Sequence, residues 1–134
     1  MALNTSRKAF LAAVVCMAMY CIPLHAQSNN PYFKVTVVDL GVLPKDNKVG
    51  IATFKLVNNT KKTVSISSTK VSCGCTSLDY SKEPVSPGAS TMLRATIKTE
   101  YKHGKFEEYI LVRLSPDNYP CILRVKGIKK YGTQ

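Results

Sequence analysis

Phe106-Glu107-Glu108-Tyr109-Ile110-Leu111-Val112-Arg113-Leu114-Ser115, followed after a turn by Cys121-Ile122-Leu123-Arg124-Val125-Lys126-Gly127-Ile128-Lys129-Lys130, decides the fold. In the first run Ile110, Val112 and Leu114 recur at every second residue. In the second, Cys121, Leu123 and Val125 do the same. A period of two marks a strand with one buried face, because successive strand side chains point to opposite sides of a sheet. Ser115 to Pro120 between them is rich in turn formers, so the two runs read as neighbouring strands.

Upstream the pattern repeats. Thr91 to Thr99 alternates with Leu93, Ala95 and Ile97 on one face, and Tyr101 to Lys105, carrying Gly104, is the turn that follows it. Thr63 to Val71 is a strand with Val64 and Ile66 sharing a face. Val49 to Asn58 is another, with Ala52, Phe54 and Leu56 aligned, and Phe33 to Gly41 is the first. Pro44 to Lys48 and Asn58 to Lys62 are polar turns. Cys73 to Ser90 reads as mostly irregular, with one short strand near Leu78 to Tyr80. No window of this region has the 3.6-residue helical repeat. Six or seven short strands in about 100 residues, each with one apolar face, predict an all-β, immunoglobulin-like antiparallel β-sandwich of about seven strands.

The 134 residues divide unevenly. Residues 1–26 have the parts of a secretory signal peptide: Arg7 and Lys8, an apolar run from Ala9 to Leu24, and Leu24-His25-Ala26 ending on a small residue. The run is shorter than the roughly 20 apolar residues that span a bilayer. Cys16 and Cys21 follow Val15 and Tyr20, not the small residue a lipidated cysteine requires, so a lipoprotein is not expected. Residues 27–32 form a short lead, 33–130 the sandwich domain and 131–134 a tail. The 108 residues left after removal of the signal suffice for one core, and none of their stretches reads as a membrane helix. The chain is therefore expected to be exported, to a periplasm or outside the cell.

With Arg7 and Lys8 set aside, 17 bases face 8 acids, a balance of +9. An exported protein rarely meets nucleic acid, so none is expected as a partner. Arg113, Arg124 and Lys126 share outward parity and form a candidate basic stripe, which leaves an acidic glycan or lipid as one reading of the charge.

The mature region keeps three cysteines, Cys73, Cys75 and Cys121, so at least one is unpaired within the chain. In an extended strand, residues two apart are separated by about 6.6 Å, at the limit of the roughly 4.4–6.8 Å that a disulfide spans. Gly74 can bring the pair closer. Cys73 and Cys75 are thus open to four readings: small buried plugs, an inert local disulfide, an easily reduced bridge, or a dithiolate for a soft ion such as Cu(I). Zinc would lack ligands, and no cofactor is expected.

If successive strands reverse direction, the turns at Lys45–Lys48, Cys73–Asp79 and Tyr101–Lys105 gather at one pole. Cys73 and Cys75 would then lie near His103, with Lys45, Lys48, Lys102 and Lys105 favouring thiolate. Cys121 would lie at the far pole as a buried free thiol. There is no phosphate loop, no metalloprotease motif and no nucleophile elbow. Glu107 and Glu108 are adjacent on a strand and so point to opposite faces rather than forming an acid–base pair.

Asp39-Leu40-Gly41, Phe54-Lys55-Leu56-Val57-Asn58-Asn59, Ser72-Cys73-Gly74-Cys75-Thr76, Glu83-Pro84-Val85-Ser86-Pro87-Gly88, His103-Gly104-Lys105-Phe106 and Leu123-Arg124-Val125-Lys126-Gly127 occur in that order. The series resembles bacterial family 1573 of domains of unknown function, most distinctively at Cys-Gly-Cys-Thr. Cys121 lies outside that pattern. The resemblance implies an exported immunoglobulin-like sandwich, similar to domains of cilia-associated and major sperm proteins, and no enzyme activity. The expectation is a non-catalytic interaction or structural module of the cell envelope, its partner an unknown envelope or extracellular protein. A thiol-redox or copper-binding role for Cys73 and Cys75 is the alternative.

Overall fold

The computed structural model describes residues 29–132; the expected signal, and residues 133–134 of the tail, lie outside them. Seven strands form two sheets: β1 (Val37–Leu43), β2 (Val49–Val57), β3 (Ser65–Val71), β4 (Thr76–Tyr80), β5 (Ser90–Lys98), β6 (Gly104–Ser115) and β7 (Tyr119–Lys129). One sheet runs β1-β7-β6-β3 and the other β2-β5-β4. The all-β sandwich expected from the alternation is present, and the described residues contain no helix.

Alternation sets the core. β2, β5, β6 and β7 each bury every second side chain across most of their length. Phe54 and Leu56 from β2 and Leu93 and Ile97 from β5 are fully buried against Ile110, Val112 and Leu114 from β6 and Leu123 and Val125 from β7. Each such side chain removed from water contributes about 1.5–3 kcal/mol, which is why register matters: a slip of one residue would turn every one of them outward.

The first expected strand is corrected. Phe33 to Gly41 does not run along one neighbour. Phe33 bridges Leu56 in the three-stranded sheet, and the Tyr32 carbonyl accepts the Val57 N–H at 2.8 Å. From Val37 the chain pairs instead with β7 in the other sheet, and the pairing is parallel. Phe33 therefore plugs the core from one sheet while β1 closes the edge of the other, so an all-antiparallel hairpin order does not hold. The stretch after Cys75 is also more regular than expected, because Thr76 to Tyr80 pairs with β5 from Ile97 to Leu93.

The ends of the sandwich are fixed by hydrogen bonds between turns. At one pole the Thr99 N–H donates to the Lys48 carbonyl at 2.9 Å and the Lys98 N–H to the Cys75 carbonyl at 2.8 Å. At the other, Asn58 bonds to the Val85 carbonyl at 2.9 Å and Lys62 faces Asp117 at 3.3 Å. Chain reversal at each connection thus gathers the turns as anticipated, although several links cross between sheets.

Candidate functional site

Cys73 and Cys75 lie in the short connection that carries the chain from β3 to β4, across the two sheets. They are joined by a disulfide with Cα atoms 5.1 Å apart. The connection is anchored at both ends. Ser72 extends the β3–β6 ladder, its N–H donating to the Tyr109 carbonyl at 2.9 Å while its Oγ accepts the Tyr109 N–H at 2.9 Å. Within the turn, the Thr76 N–H donates to the Cys73 carbonyl at 3.1 Å and the Cys75 N–H points at Cys73 Sγ, also at 3.1 Å.

Glu108 completes the site. It is adjacent to exposed Glu107 but shares parity with Ile110, Val112 and Leu114, so it points inward at the rim of the core with a side chain 7% exposed. A carboxylate so placed needs partners. Ser72 Oγ donates to Oε2 at 2.6 Å, and the Lys102 ammonium pairs with Oε1. Lys102 comes from the β5–β6 turn, with Nζ 5.8 Å from the centroid of the Phe106 ring. Its Nζ is also 3.9 Å from Cys73 Sγ, while Glu108 Oε1 is 3.9 Å from Cys75 Sγ. The bridged sulfur carries no proton, so this last approach is a contact rather than a hydrogen bond. An ion pair therefore lies directly against the disulfide, cation toward one sulfur and anion toward the other.

Ligand atoms of Cys73, Cys75 and Glu108 fall within 4.8 Å of one another. That set does not favour a soft ion. The two sulfurs are bonded to each other, the carboxylate is a hard ligand, and Ser72 and Lys102 already hold both of its oxygens.

His103 lies in the same turn as Lys102, but it is exposed and its ring stacks on Tyr131 with centroids 6.1 Å apart. It shares the pole with the cysteines without entering their cluster. Of the lysines expected there, Lys102 reaches a sulfur, whereas Lys105 lines a groove elsewhere. Cys121 is a buried free thiol, with Sγ 3.7 Å from Asn30 Oδ1. Burial pushes its pKa above the ordinary 9.0, opposed in part by Asn30. The signal for Glu108 was its parity with the core residues of β6; the signal for Lys102 was absent, since several turn lysines were equally placed.

The basic stripe is partly neutralised. Arg124 pairs with Glu107 at 3.4 Å and Lys126 with Asp39 at 3.8 Å, while Arg113 is half-buried farther along β6. Beside these pairs a groove of about 520 Å³ runs along Gly41, Val42, Phe106, Gly127 and Ile128.

Two facing sheets, β1-β7-β6-β3 and β2-β5-β4, with connections that cross between them, make an immunoglobulin-like β-sandwich, similar in fold to a PapD-like domain. The chain belongs to the family described as "Protein of unknown function (DUF1573)", whose pattern matches residues 32–128. Comparison with curated proteins finds no match. Among solved structures the chain is similar to a protein of unknown function from Porphyromonas gingivalis W83, with TM-score 0.61 and 18% identity over 70% of this chain and 44% of that one. It is also similar to PapD-like domain 7 of human CEP192, with TM-score 0.55 and 9% identity over 81% and 93% of the two chains. The CupB2 chaperone of Pseudomonas aeruginosa gives TM-score 0.52 and 12% identity over 71% and 53%. The chain thus spans less than half of the Porphyromonas protein. At these identities the likeness is one of fold. Among the described residues, no helix is long and apolar enough to cross a membrane.

Proposed function

We propose that the chain is an exported interaction module of the cell envelope that engages a protein partner through the outward face of the β1-β7-β6-β3 sheet. The observation that carries this reading is the apolar surface left on that face. Ile122 is 59% exposed, and Val42, Tyr109 and Ile128 join it along the same side. They flank the Arg124–Glu107 and Lys126–Asp39 pairs and the groove beside Gly127. Apolar and aromatic anchors set among charged groups are the composition of a protein-binding face. The likeness in fold to a chaperone is consistent with this role. Pairing of Arg124 and Lys126 with acids weighs against an acidic glycan or lipid as the ligand. The signal-like N-terminus and the Cys73–Cys75 bridge both support an oxidising, extracytoplasmic compartment.

A photo-crosslinking residue at Ile122, introduced into the protein in its producing cells, is expected to trap one defined protein. The adduct is lost when Arg124→Glu is added. The same residue at Met92, exposed on the other sheet, is expected to trap none. Equal trapping from both positions, or none from Ile122, contradicts the reading.

A further inference from the structure

We infer that Cys73 and Cys75 form an exchange-active disulfide for protein dithiols, with Lys102 holding the Cys73 thiolate and Glu108 facing the Cys75 thiol. This goes beyond docking on the sheet face and does not rest on it, since it uses the pole alone. Three observations carry it. The bridge closes a ring across a single intervening residue, Gly74, and both cysteines are partly exposed, so an incoming thiolate can reach it. Lys102 Nζ stands 3.9 Å from Cys73 Sγ, which also receives the Cys75 N–H at 3.1 Å. Glu108, nearly buried and held by Ser72 and Lys102, stands 3.9 Å from Cys75 Sγ. The ion pair is mostly buried, so little solvent screens its charges from the adjacent sulfurs.

The charges define the direction of exchange. A cation and an N–H donor at Cys73 stabilise sulfur that carries negative charge, so Cys73 is the better leaving group. A client thiolate attacks Cys75 Sγ. The client–Cys75 bond forms, the Cys73–Cys75 bond breaks, and its electron pair moves to Cys73 Sγ beside Lys102. The second client thiolate then attacks the first client sulfur. The client disulfide forms, Cys75 departs and takes a proton from solvent, and the new thiol donates to Glu108 Oε1. The client dithiol loses two electrons and two protons; the protein ends as Cys73 thiolate and Cys75 thiol, with one proton released. Each round consumes one disulfide, and an exported oxidant disulfide restores it by the reverse steps.

The test uses the folded exported protein and dithiothreitol as the dithiol. At neutral pH the disulfide is expected to reduce without unfolding. Brief iodoacetamide treatment is then expected to label Cys73 well ahead of Cys75. Lys102→Met is expected to slow Cys73 labelling about tenfold, the effect of about one unit in thiol ionisation, and Lys102→Arg to retain it. Glu108→Gln frees the ammonium from its carboxylate and is expected to speed labelling. The opposite signs separate an electrostatic role from a structural one, since a loosened fold would move both variants together. A bridge that dithiothreitol opens only in denaturant overturns the inference. So do equal labelling of the two cysteines and a Lys102→Met rate equal to that of the parent.

Discussion

Asn58 shows how one side chain can hold two turns together. It is fully buried at the end of β2. Its amide donates to the Lys62 carbonyl at 2.7 Å and the Val85 carbonyl at 2.9 Å, and its Oδ1 accepts from the Thr60 N–H at 3.0 Å and Thr60 Oγ at 2.6 Å. Its backbone pairs with Ala89 and Gly88. This explains why the Asn58 and Glu83–Gly88 motifs occur together in the chain: one supplies the hydrogen bonds the other needs. Asn58→Ala removes four side-chain hydrogen bonds made at a fully buried position, and urea unfolding should report a loss of about 2–3 kcal/mol. Gly127 is a position of close approach. A Cβ there would stand 2.9 Å from the Phe106 ring and 3.4 Å from the Gly41 carbonyl. Gly41 itself has φ +68 and its N–H donates to Asp39 Oδ1 at 2.8 Å, turning β1 so that its carbonyl can lie against β7. Gly127→Ala should therefore cost about 1–3 kcal/mol by overpacking, read by the same unfolding curve. Arg124→Ala removes an exposed ion pair and should change stability by less than about 1 kcal/mol.

Among the elements, those with two hydrogen-bonded neighbours or a long alternating run were legible in the sequence. β2, β5, β6 and β7 bury the residues that their period of two assigns, because each presents one face to a single core. β1 was not, because Phe33 to Gly41 serves two sheets in turn and no local pattern records a change of partner. β4 begins earlier than its sequence suggests because pairing to β5, not propensity, sets its start. At the site the cysteine pair was legible from spacing, and the inward side of Glu108 from parity. The joining of Glu108 to Lys102 and the sulfurs depends on how far apart the two sheets stand at that pole, which strand patterns do not encode. Cys121 gives β7 a pH signature. The folded state prefers its neutral thiol, since burial raises the pKa above 9.0. The stability this preference contributes is intact below 9.0 and lost as pH rises from there through the higher folded value. Urea unfolding at about pH 8 and about pH 10 should show that loss in the parent and a smaller one in Cys121→Val.

Over the whole molecule, chemistry and packing are segregated. One pole carries the disulfide and its ion pair, bordered by solvent; the core between the sheets carries the apolar residues; Cys121 is sealed within β7, paired opposite Val112 near the other end. The segregation lets the thiol pair exchange without disturbing the sandwich, so Cys73→Ser combined with Cys75→Ser should leave the strand content unchanged by circular dichroism. The central claim is that the chain holds a Cys73–Cys75 bridge and a separate, sealed Cys121 thiol. Intact mass after alkylation tests it most directly. The account predicts a chain beginning at Gln27 that takes no label when folded, one label in denaturant and three after reduction. A peptide linking Cys121 to Cys73 or Cys75, or three labels without reductant, would contradict it.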